Sequence, residues 1–311
     1  MKYRLGTRAS KLALAQTRNV ADQLHDANSD AEFEIVKITT KGDIDSRPFF
    51  AIDQKGIFEK EIDAAVSEGR VDFAVHSMKD VPSELDLDLF IASVPKRKDV
   101  NDVLLSLDGA KLENLKSGSV IGTSSLRRAV QISRKRSDLV VKPIRGNIET
   151  RIDKIGNGFD AIILAQAGIS RLNIKTKYVT LSLSDFLPSP GQGALAIIAR
   201  ASDADTITML KSIDDTDAHA ESLAERALSK SIESGCRFPV GAIAGVDSGV
   251  LSINAVAFSM DGKESVYAEQ NGPVSESEKI GYMAGKELID GGADKFASDW
   301  RVHLAEWNKD G

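Results

Sequence analysis

The sequence predicts two α/β domains followed by an α+β domain. Three observations carry the prediction. Short apolar strands alternate with helical patterns through the first two thirds of the chain. One strand-to-helix junction rich in Gly, Thr and Ser occurs twice, at residues 6–10 and 122–125. The last third reads as a helix followed by three strand-like runs, and 311 residues suffice for two or three domains at roughly 100–200 residues each.

In chain order, residues 3–5 read as a strand and 11–24 as a helix with Leu12, Ala15, Val20 and Leu24 on one side. Residues 33–38 form a second strand. The polar stretch 39–55 is too long for a tight connection, and loops of that length tend to be functional lids or disordered. A helix over 57–68 stops at Gly69, since glycine suits the left-handed residue that ends a helix. Residues 71–76 are too densely apolar for a half-exposed strand, so this strand is buried. Strand, helix, strand in this order implies parallel βαβ units. The second unit begins near residue 100, with strands at 120–121, 140–144 and 161–165 and a helix over 125–136. Pro188, Pro190, Gly191 and Gly193 interrupt the pattern before a strand over 194–199. The third unit opens near 216 with a helix over 221–234, on which Leu223, Ala224, Ala227, Leu228 and Ile232 keep helical spacing. Strands over 240–246, 250–258 and 264–270 and polar helices complete it.

Composition removes several classes. With 42% hydrophobic and 28% charged residues the chain is neither disordered, collagenous nor a coiled coil. The single cysteine, Cys236, excludes an intrachain disulfide framework and a multi-cysteine metal cluster. The histidines at 25, 76, 219 and 303 lack paired-ligand spacing, so no metal is expected. No run approaches the ~18 apolar residues of a membrane helix, and the first residues lack a signal-peptide core. A cytoplasmic protein without a membrane partner is expected.

The net charge of −6 argues against a dedicated nucleic-acid binder. It hides a segregation. Residues 127–151 carry Arg127, Arg128, Arg134, Lys135, Arg136, Lys142, Arg145 and Arg151 against only Asp138 and Glu149, a net of +6. A solvated helix face accounts for Arg134, Lys135 and Arg136, and less well for Arg145 after its apolar run. Guanidinium forks match carboxylates bidentately, and the segment has no aromatics on which bases could stack. A small polyanion is the expected ligand.

Gly6-Thr7-Arg8-Ala9-Ser10 and Gly122-Thr123-Ser124-Ser125 each place free backbone N–H groups at a helix start, which favours an anion. Plain N-capping by serine explains one such junction; two, each with an arginine close by, point to paired anion sites. His76-Ser77-Met78-Lys79-Asp80-Val81-Pro82 follows the buried strand, and ligands of open α/β sheets bind beyond the carboxyl ends of strands. Lys79 and Asp80 are either a surface turn fixed by Pro82 or part of a site. There an ionised carboxylate can stabilise a developing cation or accept a proton. Gly191-Gln192-Gly193-Ala194-Leu195-Ala196 mimics a dinucleotide fingerprint but opens a strand, so it is a turn. Cys236 sits in a Gly/Pro-bounded loop with no histidine near it in sequence. The preceding helix end disfavours a thiolate and Arg237 favours one. A turning-over nucleophile is poorly supported; a permanent covalent tether fits better.

Together with Lys55-Gly56-Ile57-Phe58, Arg145-Gly146-Asn147 and Gly235-Cys236, these motifs resemble the porphobilinogen deaminase (hydroxymethylbilane synthase) family, in family order and over nearly the whole chain. The resemblance implies two type II periplasmic-binding-protein-like α/β domains, 1–97 with 192–212 and 98–191, and a C-terminal α+β domain, 213–311. It implies a dipyrromethane cofactor thioether-linked to Cys236. It implies a transferase that condenses four porphobilinogens head to tail, releasing ammonia, and then frees the linear tetrapyrrole by hydrolysis. Asp80 matches the catalytic aspartate. Lys79, Thr123, Ser124, Ser125, Arg127, Arg128 and Arg145 match cofactor-binding positions, and Arg8, Ser10, Lys55, Arg145 and Arg151 substrate-binding ones. The family also implies a monomer with a small-molecule substrate and no nucleic-acid partner. The chain departs from the family pattern at Asp53-Gln54, Val100-Asn101 and Ile198. The competing reading is a noncatalytic small-anion receptor or regulator effector domain of the same fold, which explains the arginines but needs neither Cys236 nor Asp80.

Overall fold

The computed structural model of the chain describes residues 1–40, 59–232 and 239–297. In the first of three sheets, β1 (Lys2–Arg8) pairs in parallel with β2 (Glu32–Ile38) and β3 (Phe73–Ser77). β10 (Leu195–Arg200) inserts antiparallel between β3 and β4 (Leu89–Ser93), giving the order β2-β1-β3-β10-β4. The second sheet repeats this plan. β6 (Val120–Gly122) is parallel to β7 (Val140–Lys142) and β8 (Ala161–Ala165), and β5 (Asp102–Ser106) lies antiparallel between β8 and β9 (Val179–Thr180). Each sheet thus takes its antiparallel strand from a segment that has just crossed from the other sheet. This is the expected type II periplasmic-binding-protein plan. In the third sheet, β11 (Val240–Asp247), β12 (Val250–Phe258) and β13 (Ser265–Pro273) are antiparallel.

Burial explains the strand placement. β3 and β10 are apolar on both faces because both faces are covered. Phe73, Val75, Leu195 and Ile197 pack with Val20 and Leu24 of α1 (Lys11–Ala27). Ala74, Ala196 and Ile198 pack with Ile62, Ala65 and Val66 of α2 (Lys60–Ser67). Ile198 is fully buried in this layer, where an apolar side chain contributes about 1.5–3 kcal/mol. Around the second sheet lie α3 (Leu126–Lys135), α4 (Ile148–Ile152) and α5 (Gln166–Arg171). After α6 (Ala204–Leu210), α7 (Thr216–Ser231) and α8 (Ser277–Asp290) cover the third sheet through Ala224, Leu228, Ala284 and Leu288.

The two crossings between the first sheets run side by side. The Lys98 N–H donates to the Gly193 carbonyl at 3.2 Å, and the Gln192 side-chain amide donates to the Val100 carbonyl at 2.7 Å. Gly193 has φ +88°, and a Cβ there would stand 2.6 Å from the Lys98 oxygen. Gly193→Ala is therefore expected to cost about 1–3 kcal/mol of backbone strain, read as a lower Tm with unchanged far-UV circular dichroism. A wild-type Tm would show that the crossing relaxes freely.

Most expected elements are present, and Gly191 and Gly193 form a left-handed turn rather than a nucleotide loop. The first helix of the third unit begins at Thr216 rather than at residue 221, because the Asp215 carboxylate caps it by accepting the Ala218 N–H at 2.9 Å. The expected strand over 140–144 ends at Lys142, before Pro143. β4, β5 and β9 are additional to the expected strands. Most of the stretch 39–55, with Lys55, and the loop holding Cys236 lie outside the described residues. No helix among the described residues is long and apolar enough to cross a membrane.

Candidate active site

β3 ends at Ser77, and the chain turns at once through one 3₁₀ turn, Met78–Asp80. Met78 anchors the turn: its side chain is buried in the α2 layer, and its N–H donates to the Ala194 carbonyl at 3.1 Å. Gly191 has φ +76°, and a Cβ there would meet Met78 Cγ at 2.8 Å and the Lys79 nitrogen at 2.9 Å, so glycine alone lets the crossing segment lie on this turn. On the far side Arg226 of α7 donates to the Pro82 carbonyl at 2.7 Å. From α1, Gln16 Nε2 donates to Ser77 Oγ at 2.8 Å. The backbone under Asp80 is thus held from three elements while its carboxylate stays exposed. Lys79 beside it is half-buried.

The second wall is built around one buried carboxylate. Asp102, at the start of β5, is fully buried. Its Oδ2 accepts from Arg127 Nη2 at 2.8 Å; its Oδ1 accepts from Arg128 Nη2 at 2.7 Å, Arg128 Nε at 3.0 Å and Gln192 Nε2 at 2.9 Å. Burial alone would raise the Asp102 pKa, but Arg127 and Arg128 outweigh it and hold the carboxyl far below the usual range. Two guanidinium groups share one carboxylate, so a positive charge is left over. Arg127 spends Nη1 on the Leu187 carbonyl at 2.5 Å, while its buried Nε has no acceptor among the described residues. Burial pushes the Lys79 ammonium pKa down; Arg128 and Arg127 push the same way, and Asp80 and Asp102 oppose them. These five groups therefore share one field, which brings Lys79 and Asp80 together with Arg127 and Arg128.

The strand-to-helix junctions are used internally. Ser10 and Ser125 cap α1 and α3, accepting the Ala13 and Arg128 N–H groups at 3.3 and 3.5 Å. The Thr123 hydroxyl is buried and accepts the Ser125 N–H at 3.2 Å, and the Ser124 hydroxyl donates to the Ile144 carbonyl. Arg8, at the end of β1, is half-buried, and Arg145 is exposed. Arg151 Nε donates to the Gly146 carbonyl at 2.8 Å; burial, and then Arg128, lower its pKa to about 10. Arg151 is thereby drawn into the same field.

The +6 of residues 127–151 is not one open cationic field. Arg134 and Lys135 are exposed, as a solvated face requires. But Arg134 stacks 5.4 Å over Phe258 and donates to the Gly262 carbonyl at 2.5 Å, tying α3 to the third sheet. Lys135 pairs with Asp185 at 2.8 Å, and Arg136 serves Asp138 and the carbonyls of Leu112, Glu113 and Leu115.

Three residues of the site are not apparent from sequence. Asp102 looks there like part of a solvated Lys98–Asp102 turn. Gln192 is hidden inside a turn motif. Arg171, on α5, donates to the Gly193 carbonyl at 2.6 Å, and burial lowers its pKa to about 10. Among the described residues no group of three or more His, Cys, Asp or Glu side chains could hold a metal ion.

A family model described as "Porphobilinogen deaminase, dipyromethane cofactor binding domain" matches residues 3–208, and one described as "Porphobilinogen deaminase, C-terminal domain" matches 219–290. A protein of Nitrosopumilus maritimus named "Probable porphobilinogen deaminase" is 58% identical over 99% of this chain and 100% of its own length. A "Porphobilinogen deaminase" of Thermus thermophilus is 40% identical over 96% of this chain and 98% of its own. Among solved structures, an ancestral cationic amino acid solute binding protein aligns with a TM-score of 0.45 at 14% identity, covering 68% of this chain and 88% of that one. A noncatalytic anion receptor finds no support in the family matches. With two family models in the right order and relatives matched over nearly their full length, the chain belongs to the porphobilinogen deaminase (hydroxymethylbilane synthase) family.

Proposed function

We propose that Asp80 is the catalytic carboxylate in the condensation of four porphobilinogens, and that Arg127, Arg128, Arg145, Arg151, Arg8 and Lys79 receive the carboxylates of cofactor and substrate. The observation that carries this is the anchored Met78–Asp80 turn beside the buried Asp102–Arg127–Arg128 cluster. Loss of ammonia takes the C–N electron pair with the leaving group and leaves positive charge on the pyrrole. An exposed carboxylate held on a fixed backbone can offset that charge and then take the ring proton released when the next carbon–carbon bond forms.

The dipyrromethane fits the residues present. Asp102 leaves one of two guanidinium charges unbalanced, and the buried Arg127 Nε lacks an acceptor among the described residues, as a carboxylate ligand would require. Arg127, Arg128, Lys79 and the Thr123–Ser125 junction would hold it, with Cys236 Sγ as its thioether anchor. Bound there, the group supplies carboxylates and a nucleophilic pyrrole carbon. Ser10 and Lys55 complete the proposed substrate contacts. The proposal extends to the domain division 1–97 with 192–212, 98–191 and 213–311, and to a cytoplasmic monomer.

Intact mass tests the tether. Protein purified from cells should exceed its sequence mass by one dipyrromethane, and Cys236→Ser should lose that increment together with turnover. An unmodified, fully active wild type would overturn the assignment.

A further inference from the structure

Lys11 is the first residue of α1, directly after the Ser10 cap, and Glu149 lies in α4, between Arg145 and Arg151 of the second wall. Lys11 Nζ donates to both Glu149 oxygens, at 2.9 and 2.8 Å. The pair therefore ties the helix start of the first sheet's lobe to the arginine-bearing segment of the second. It is wet: the side chains are 71% and 44% exposed. An exposed ion pair of this kind contributes little, because water competes for both charges. Glu149 is a poor owner of that ammonium, because one carboxylate can be exchanged for another at little cost.

We propose that Lys11 is a further substrate-binding residue, with Glu149 as its resting counter-ion. A porphobilinogen carboxylate takes the place of Glu149 on Lys11, and the exchange unties the two lobes as substrate enters. The inference rests on the family function and on the arginine wall above. Lys11 is exposed where Arg151 is half-buried, so in this proposal a substrate carboxylate engages Lys11 before the more deeply placed Arg151. Glu149 also keeps a bare ammonium from holding inorganic anions there. The exchange breaks no covalent bond and moves no proton.

Zero-length carbodiimide coupling of the holoenzyme reads the contact without reading activity. A carboxylate and an amine in contact form an amide with loss of one water, so peptide mapping should find Lys11 joined to Glu149. Porphobilinogen should lower that yield several-fold, and sodium chloride at the same ionic strength should not. No cross-link in the resting holoenzyme, or a yield indifferent to porphobilinogen, overturns the proposal.

The charge-swapped variant Lys11→Glu with Glu149→Lys separates binding from bracing. It should still cross-link, because the pair is preserved with its polarity reversed, yet KM for porphobilinogen should rise about three- to tenfold with kcat little changed. A wild-type KM in the cross-linking swap would make the pair a brace only and overturn the substrate role. A wild-type enzyme that released no ammonia from porphobilinogen would instead strike at the family function, so the two failures are distinguishable.

Discussion

Replacing Asp80 by Asn is expected to lower kcat by about 10²–10⁴-fold while leaving the fold and the mass of the loaded protein unchanged. The stability half follows from exposure. Asp80 caps no helix and fills no core, and substitutions at such surface positions usually stay within about 0.5 kcal/mol. The turn beneath it is fixed by Met78 and by the Ala194, Pro82 and Gly191 contacts, none of which involves the Asp80 side chain. The rate half follows from charge. An amide neither balances a cationic pyrrole nor accepts its proton. Asp80 also supports the neighbouring Lys79 ammonium against burial and two arginines, so the Asn variant leaves Lys79 less readily protonated than before. Single-turnover ammonia release, measured beside intact mass, checks both halves. Wild-type release from a fully loaded Asn variant would remove Asp80 from the chemistry.

Replacing Asp102 by Ala is expected to be strongly destabilising. Truncating one partner of a buried ionic group leaves uncompensated charge and costs about 3–5 kcal/mol, and here two buried guanidinium groups lose their counter-ion together. Gln192 loses one of its two acceptors as well, keeping only the Val100 carbonyl, which loosens the second crossing. The pH dependence has a definite sign. Burial opposes ionisation of Asp102, but Arg127 and Arg128 prevail, so its folded pKa lies below its unfolded one. Its stabilisation is complete above the unfolded value of about 4 and is lost as pH falls from there towards the depressed folded value. Wild-type stability should therefore fall more steeply between pH 4 and pH 2 than that of Asp102→Asn. Equal acid slopes would show that the cluster is not held by an ionised Asp102. The Ala variant should also arrive from cells with little dipyrromethane mass.

The sequence disclosed the buried central strands because their signal is local. Residues 73–75 and 194–199 are apolar on both faces, and only central strands need that pattern. β4 and β5 escaped for a physical reason. Leu89–Ser93 follows a polar turn, and β5 opens on a buried aspartate that reads as surface until the fold brings Arg127 and Arg128 to it. The site divides likewise. Asp80 and Lys79 were legible because they sit beyond a buried strand, where ligands gather. Asp102, Gln192 and Arg171 were not, because their partners lie on segments distant in the chain. Charge counting overstated the cleft for the same reason. Arg134 and Arg136 are basic in sequence but structural in space, engaged with Phe258 and with backbone carbonyls.

The insertion of β10 between β3 and β4 also sets an order of assembly. The second sheet draws all its strands from Asp102–Ser106 through Val179–Thr180, one contiguous stretch, so it can close as soon as that stretch leaves the ribosome. The first sheet cannot. Its earliest strands emerge first, yet they wait with an open slot until Leu195–Arg200 arrives. The N-terminal lobe is begun first, yet its sheet is completed only after the second one. During that interval β3 and β4 each have an unpaired edge, and such non-local closure is slow and leaves strand edges open to wrong pairing.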